Sequence, residues 1–128
     1  MSNFDFLTKH DLFRSFSFAA VNAEKCLKID PNLTITQCRT VMEKAINWMY
    51  ASDDELTLPE DTKLCSLINN YKFVRIVGRE LICLLNVVRK AGNSTAHSCN
   101  QYDEKTALLV LNSLFRFLDW IDQNYACL

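Results

Sequence analysis

Residues 103–125, DEKTALLVLNSLFRFLDWIDQNY, form the stretch that decides the fold of this chain. Apolar residues recur in it every three or four positions, which is the repeat of one face of an α-helix. Asp103 precedes the repeat and is predicted to be the helix N-cap, and Glu104 suits the positive end of the helix dipole. The stretch therefore predicts a long amphipathic helix ending near Tyr125, with an inner face of Ala107, Leu108, Leu111, Phe115, Leu118 and Ile121.

The rest of the chain shows the same helical repeat and few signals for strands or hairpins. Its 128 residues include two glycines and two prolines, so turn signals are sparse. We predict one domain over residues 1–128 with an all-α fold, a compact bundle of four principal helices plus short helices. Besides the last helix, the predicted helices cover about residues 9–29, 34–50, a short segment capped by Asp61 or Thr62, 71–77 and 79–91.

The predicted first helix has a continuous apolar face and stops at a proline. The residue before a proline is driven out of the helical region, so Asp30, followed by Pro31, is predicted to end this helix. Residues 52–61 then connect the second helix to the short ones, and the polar segment 98–102 precedes the last helix. The predicted inner face of the first helix consists of Leu12, Phe13, Phe16, Ala20, Ala23 and Leu27.

The charge balance argues against a protein that coats nucleic acid. Fourteen Lys and Arg against fifteen Asp and Glu give a net charge of −1, whereas proteins that coat nucleic acid are strongly basic. No apolar stretch has the length of a membrane span and no leader peptide pattern is present, so we expect a cytoplasmic protein without membrane contact. A local run of cations could still bind phosphate: Lys72, Arg75, Arg79, Arg89 and Lys90.

The six cysteines are predicted to be reduced rather than paired in disulfides. Cys38, Cys65 and Cys83 lie within apolar helical patterns, where a thiol serves as a small hydrophobic group. The chain has no CxxC motif, and His97 with Cys99 supplies only two of the four ligands that a structural zinc site needs. We therefore expect neither a metal nor another cofactor.

Most catalytic motifs are absent from the sequence. Two glycines fourteen residues apart can form neither a Walker phosphate loop nor a dinucleotide-binding fingerprint. The sequence has no HExxH, GxSxG or EF-hand pattern. Acidic residues at 53–55 and 60–61 lie in a predicted loop and are expected to be solvated. These observations exclude an independent ATPase or metallohydrolase.

A polar signature, GNSTAH at residues 92–97, follows the apolar helix and leaves two interpretations open. If the helix continues through it, Arg89, Asn93 and His97 share one face. In the first interpretation the glycine ends the helix, Asn93 caps it and His97 is a hydrogen-bonded interior histidine. In the second, His97 is a catalytic base or a phosphate donor, and Arg89 or Lys90 holds a phosphate.

Arg39 and Glu43, four residues apart in the second predicted helix, form another candidate pair. Residues at this spacing are neighbours on a helix surface. Cys38 and Met42 beside them are predicted core positions, so we expect the pair to be partly buried. A buried charge needs a partner, because removing one member of a buried ion pair costs about 3–5 kcal/mol. The pair is therefore predicted to be a structural ion pair.

In their order along the chain, these segments resemble the helical domain that opens the R subunit of many type I restriction endonucleases. The resemblance starts at SNFDFL (residues 2–7), covers nearly the whole chain, and includes Arg39 with Glu43 and the signature through Ser98. It implies a module that precedes a helicase motor translocating DNA with ATP, so we expect the chain to be the N-terminal part of a longer protein. The other matching segments are Ala23-Glu24, Asp30-Pro31, residues 47–50, Leu56-x-Leu58-Pro59, residues 64–68, Phe73, Gly78 and residues 118–125.

That domain family is similar in turn to the HEPN superfamily of α-helical bundles, some members of which are metal-independent ribonucleases. Their active site resembles Arg-polar-x3-His and is usually assembled from two copies. In this chain Gly92 stands five residues before His97, where that motif has arginine, and Arg89 stands eight residues before it. The arginine–histidine spacing of the ribonuclease motif is therefore missing.

Three functions are predicted from the sequence. The first is a non-catalytic module making contacts with other domains or subunits of a restriction complex, or with DNA or RNA. On this prediction the signature residues mainly hold the bundle together: Arg39, Glu43, Gly92, Asn93 and His97. The second is a HEPN-type, toxin-like ribonuclease that uses His97. The third is a dimerising adaptor, with Trp120 and Tyr125 as exposed anchors of a homodimer.

Overall fold

The computed structural model describes residues 2–97 and 101–126, with side chains for 2–95 and 101–126. These residues form the predicted all-α bundle and contain no strand. No helix among them is long and apolar enough to span a membrane. A 3-10 turn, Asp11–Phe13, lies between the first two helices. The α-helices are α1 Asp5–Thr8, α2 Arg14–Lys25, α3 Pro31–Ser52, α4 Leu64–Ile68, α5 Tyr71–Val77, α6 Arg79–His97 and α7 Glu104–Tyr125.

Helix α3 lies at the centre of the bundle and packs against α2, α6 and α7. It runs parallel to α7, and a hydrogen bond joins the two helices at each end. At their starts Asn32 Oδ1 accepts from the Tyr102 amide (2.9 Å), and at their ends Tyr125 Oη donates to Asp53 Oδ2 (2.6 Å). The largest buried side chains of the core include Phe4, Phe13, Phe16, Phe73 and Phe117.

Helix α3 begins at Pro31, three residues before the predicted residue 34. Asp30 and Pro31, predicted only to end the helix before them, also form the start of α3. The Asp30 carboxylate accepts a hydrogen bond from the Leu33 amide (3.2 Å). Pro31 occupies the first helical position, where the N–H that proline lacks has no partner within the helix. The helix ends at Ser52, two residues beyond the predicted residue 50.

The prediction of one continuous first helix over residues 9–29 is wrong. The chain forms α1, the 3-10 turn and then α2, because His10 adopts an extended backbone conformation. Phe13 is fully buried but Leu12 is 46% exposed, so Leu12 does not belong to the inner face. The turn directs the Phe13 ring towards the rings of Phe16 and Trp48, whose centroids lie 5.6 and 5.3 Å away.

The short helix predicted after Asp61 or Thr62 is confirmed as α4, but its predicted cap is wrong. Helix α4 follows Lys63 and has no side-chain cap. The Asp61 carboxylate instead accepts hydrogen bonds from the Lys63 amide (3.0 Å) and the Ser66 hydroxyl (2.8 Å). These bonds hold the pKa of Asp61 below its usual range. Asp61 therefore forms a turn ahead of the helix.

The prediction of α5 over residues 71–77 is confirmed, and Gly78 separates α5 from α6. Gly78 has φ 93° and ψ 147°, a backbone conformation that residues with a side chain rarely adopt. Apart from Gly78 itself and its two neighbours in the chain, no heavy atom of the described residues lies within 4 Å of the position that its Cβ would take. The backbone conformation, and not close packing, therefore requires glycine at this position.

Helix α7 confirms the predicted cap but buries a different set of side chains. Asp103 Oδ1 accepts a hydrogen bond from the Thr106 amide (2.8 Å). The helix packs against both α3 and α6, so its buried face is wider than one stripe. Leu108 is 43% exposed and lies outside this face, and Phe115 is half-buried. The buried residues are Ala107, Val110, Leu111, Ser113, Leu114, Phe117, Leu118, Ile121 and Tyr125.

The prediction of Trp120 and Tyr125 as exposed anchors is wrong. Tyr125 is 7% exposed and Trp120 is half-buried. The Tyr125 ring packs edge to face on Trp48 and Trp120, whose ring centroids lie 5.4 and 6.0 Å from its own. Burial and the hydrogen bond to Asp53 raise the pKa of Tyr125. Asp53, predicted to be solvated, is thus a structural partner that joins the end of α3 to α7.

Four of the cysteines lie in the part of the chain with described side chains, and all four are free thiols, as predicted: Cys26, Cys38, Cys65 and Cys83. The prediction that Cys65 and Cys83 serve as core residues is wrong, because both lie on outer helix faces and are exposed. Cys38 is buried in the centre of α3. Cys99 and Cys127 lie outside the described residues.

Candidate functional site: the contact between α3 and α6

The polar signature forms the end of α6 and does not interrupt it. Helix α6 runs unbroken to His97, so the prediction that Gly92 ends the helix and Asn93 caps it is wrong. Glycine in a helix costs about 1 kcal/mol relative to alanine. Packing against α3 offsets this cost, because most helical stability in proteins comes from tertiary contacts.

Gly92 is the residue at which α6 makes its close approach to α3. It is buried, and a Cβ built on it would lie 2.5 Å from Cβ, 2.6 Å from Cδ and 2.9 Å from Cγ of Arg39. Real Cβ atoms essentially never come within 3.0 Å of a heavy atom to which the chain does not closely link them. The stem of Arg39 therefore lies directly on the α6 backbone, and any larger residue at position 92 would push the helices apart.

Beyond this contact, Arg39 reaches Glu43 and forms the predicted ion pair. Arg39 Nη1 lies 3.2 Å from Glu43 Oε2, and the two side chains are 30% and 42% exposed. The pair is therefore partly buried, as expected, and solvent weakens it relative to a fully buried pair. Arg39 Nε is buried and has no hydrogen-bond partner in the described residues. Packing of the aliphatic stem thus holds Arg39 in place as much as its charge does.

Two threonines join the same helices one turn away. Thr36 Oγ1 lies 2.7 Å from Thr95 Oγ1. Thr36 Oγ1 also lies 3.0 Å from the Asn32 carbonyl, and Thr95 Oγ1 lies 2.9 Å from the Gly92 carbonyl. Each hydroxyl has one hydrogen, so one threonine donates to the other, which donates to the backbone of its own helix. The sequence pattern identifies neither threonine, since nothing in it indicates their partners.

Ser94 extends this contact to the start of α7. Its hydroxyl lies 2.6 Å from Tyr102 Oη, and the Tyr102 amide donates to Asn32 Oδ1 at 2.9 Å. Asn32 Nδ2 reaches Gln101 Oε1 at 3.5 Å. Gly92, Ser94 and Thr95 of the signature therefore connect three parts of the bundle, namely α3, α6 and the segment before α7.

The candidate catalytic positions lie along one line of α6. Because the helix is continuous, Arg89, Asn93 and His97 follow one another at intervals of four residues on one face. Arg89 is half-buried and its Nε donates to Asn86 Oδ1 at 3.2 Å, while Lys90 is exposed. The His97 side chain lies outside the described residues.

Titratable clusters that could hold a metal do not occur among the described residues. No three His, Cys, Asp or Glu side chains there are arranged so that they could hold a metal ion. The incomplete ligand set of the sequence prediction falls on the His97 side chain and on Cys99, both of which lie outside the described part of the structure. Cys38, the neighbour of Arg39, is unsuited to nucleophilic chemistry, because burial raises its pKa to about 12 and keeps the thiol protonated at neutral pH.

The raised pKa of Cys38 predicts a loss of stability at high pH. The unfolded thiol ionises near its ordinary pKa of 9.0, whereas the folded one ionises near 12, so the folded state loses stability as the pH rises through this interval. We expect the urea midpoint of the wild-type protein to fall more steeply from about pH 8 to about pH 10.5 than that of Cys38→Ala. Equal slopes for the two proteins would contradict this prediction.

Comparison with known proteins identifies the family of this chain. The family model described as "Domain of unknown function (DUF4145)" matches residues 21–123. The chain belongs to this family. In this DUF4145 chain the match includes all of α3 and α6, and so both sides of the contact between Arg39 and Gly92. No curated protein and no solved structure matches the chain.

Sequence reasoning identifies both residues of the central contact in this DUF4145 chain but not the contact itself. The sequence predicts that Arg39 forms an ion pair with Glu43 and that Gly92 ends a helix, and it does not predict that the two residues touch. A usable signal is nevertheless present. Gly92 lies seven residues after Leu85 and four after Val88, both fully buried, so it belongs to the same inward face. A missing side chain on such a face indicates the close approach of another helix.

Proposed function

We propose that this DUF4145 chain is a non-catalytic helical module of a protein similar to the R subunit of type I restriction endonucleases. It would make contacts with other domains, subunits or nucleic acid in the cytoplasm, without a cofactor, while chemistry takes place elsewhere in that protein. The restriction role rests on the sequence resemblance. The non-catalytic role rests on one observation, namely that Gly92, Ser94 and Thr95 of the signature pack α6 against its neighbours.

The engagement of these groups supports a structural role because a catalytic group must be free to reach a substrate. Gly92 is covered by the stem of Arg39. The hydroxyls of Ser94 and Thr95 bond to other parts of the same bundle. Position 92, where the related ribonuclease motif has its arginine, offers no cation.

Restriction of unmodified phage by cells that carry the complete gene tests this proposal. We expect plating efficiency to rise to that of a restriction-deficient strain when the segment encoding residues 1–128 is deleted. His97→Ala should retain restriction, as should the control His10→Ala, which changes the other histidine of the chain. Immunoblots verify that each protein accumulates. Lack of restriction by the wild-type gene, or its specific loss in His97→Ala, would contradict the proposal.

A ribonuclease is the second candidate, and the continuity of α6 favours it. Arg89, Asn93 and His97 share one face, and Lys90 is exposed beside them. In this function His97 would activate a ribose 2′-hydroxyl, and Arg89 or Lys90 would hold the phosphate. The bond from Arg89 to Asn86 weakens this candidate, since it occupies the Nε donor of the guanidinium.

Incubation of the purified protein with RNA in EDTA separates the two candidates. The module proposed above should leave the RNA intact. Cleavage that needs no metal and that His97→Ala abolishes would favour the ribonuclease, whereas cleavage that persists in this variant would indicate a contaminating enzyme.

A further inference from the structure

A cavity of about 370 Å³ lies between the N-terminal segment, the end of α2 and α7. Its volume is within the range of about 300–1,000 Å³ that is usual for small-molecule sites. Most of its wall is apolar and includes the rings of Phe4 and Phe115, whose centroids lie 5.8 Å apart. The other apolar residues of the wall are Leu27, Leu108 and Leu111. The cavity can therefore surround an apolar group of a ligand.

Part of this apolar wall is fixed by the core, and part of it is open to solvent. Phe4 is fully buried and Leu111 is 4% exposed, so close packing fixes their positions. Leu27 and Phe115 are half-buried, and Leu108 is 43% exposed although it is apolar. A ligand in the cavity would cover apolar surface of these residues, and the burial of such surface favours binding.

The polar residues of the cavity supply hydrogen-bond acceptors and a negative charge. Glu24 is half-buried, and it is the only charged residue among the described residues that line the cavity. Its carboxylate accepts from the Asn3 amide, at 3.1 Å to Oε1 and 3.4 Å to Oε2, and has room for further donors, because a carboxylate can accept about four hydrogen bonds. Asn3 and Asn112 also line the cavity, and their side chains make no hydrogen bond to the described part of the chain.

Glu24 has no counter-ion among the residues that the structure describes. Every ion pair within them involves another carboxylate. Lys25 and Lys28 are exposed and line a second cavity beside Glu24 together with Asp5, so solvent and an opposite charge weaken their field. Lys105 is exposed and lines neither cavity. A half-buried carboxylate in an apolar cavity favours a ligand that brings a positive charge.

We propose that this cavity binds a small-molecule primary amine whose apolar body is about the size of a phenyl ring. A primary ammonium group has three N–H donors, which match the carboxylate of Glu24 and the side-chain carbonyls of Asn3 and Asn112. The apolar body covers Leu108 and Phe115. None of the residues that line the cavity belongs to the contact between α3 and α6, so this inference goes beyond the proposed function and does not depend on it.

Titration of the isotope-labelled chain with phenethylamine at neutral pH, followed by NMR, tests the site. We expect saturable shifts of the backbone amide signals of Asn3, Glu24 and Asn112. Phenethyl alcohol has the same apolar body with a hydroxyl in place of the ammonium group, so it should bind about tenfold more weakly or worse. The absence of saturable shifts with the amine, or equal dissociation constants for the amine and the alcohol, would overturn the proposal.

Four variants with unchanged circular dichroism spectra test the two parts of the cavity separately. Glu24→Gln keeps an acceptor for the Asn3 amide but loses the charge, so it should raise the dissociation constant of the amine about tenfold and leave that of the alcohol unchanged. Its control, Glu60→Gln, removes an exposed carboxylate outside the cavity and should change neither.

Leu108→Ala removes part of the apolar wall, so it should weaken the binding of both compounds about threefold. Leu109→Ala is the matched control, since Leu109 is 62% exposed and lies outside the lining; it should weaken neither. Amine binding that Glu24→Gln leaves unchanged, or that Leu109→Ala weakens as much as Leu108→Ala does, would overturn the proposed site.

Discussion

Gly92→Leu should lower the free energy of unfolding by about 3 kcal/mol or more, although leucine is the better helix former. A Cβ at this position would lie 2.5 Å from the Cβ of Arg39, an atom that is fixed to the α3 backbone and cannot rotate away. The rest of the leucine side chain would extend into a buried contact. The helices would have to separate, which would also break the bond between Thr36 and Thr95. Urea unfolding measures the effect.

A double-variant cycle separates this contact from helix propensity. Gly92→Ala should cost about 1–3 kcal/mol in the wild-type background and much less in Arg39→Gly, where the opposing Cβ is gone. Thr40→Leu, at the exposed neighbour of Arg39, is the control and should change stability by no more than about 0.5 kcal/mol. Equal costs of Gly92→Ala in the two backgrounds would show that Arg39 does not exclude a side chain there.

Phe13→Ala should cost about 3–5 kcal/mol, whereas Leu12→Ala should cost less than about 1 kcal/mol. Phe13 is fully buried, and its ring centroid lies 5.6 Å from that of Phe16 and 5.3 Å from that of Trp48. Its loss would leave a cavity where the 3-10 turn meets α2 and α3. Leu12 is 46% exposed, so its truncation removes less buried area. Thermal and urea unfolding of the two variants measure the difference.

The comparison between these adjacent residues also tests whether the N-terminal segment is divided into α1, the 3-10 turn and α2. A regular helix over residues 9–29 would bury both side chains on one face. Similar costs for the two variants would therefore support that helix and contradict the 3-10 turn. The Leu12→Ala variant is the control, since it removes an aliphatic side chain next to the same turn.

Local rules predict much of this fold from the sequence. Asp103 precedes an apolar helical repeat, and its carboxylate accepts the amide hydrogen bond expected of a helix cap. Asp30 caps α3 in the same way, although its position before Pro31 predicts only the end of the first helix. The break before α2 escapes these rules, because no proline or glycine marks it. Leu12 and Phe13 are both apolar, and periodicity alone does not decide which of two adjacent apolar residues faces the core.

In the candidate site, likewise, the sequence predicts the contact between residues close together in the chain but not the contacts between distant ones. The pair of Arg39 and Glu43 follows from residues four apart on one helix. The contact of Arg39 with Gly92 joins residues 53 positions apart, and the bond between Thr36 and Thr95 spans 59 positions. No one-dimensional pattern pairs such residues. The same holds for Tyr125, whose apolar ring and hydroxyl indicate burial or exposure equally well until its partner Asp53 is known.

The parallel pairing of α3 with α7 determines when this protein can fold during its synthesis. The bonds at the two ends of the pair join residues 70 and 72 positions apart. Until residue 125 has left the ribosomal exit tunnel, the side of α3 that α7 covers remains open to water. The core therefore closes only after translation of α7 is complete. Until then the nascent chain presents an apolar helix face of the kind that chaperones protect from aggregation.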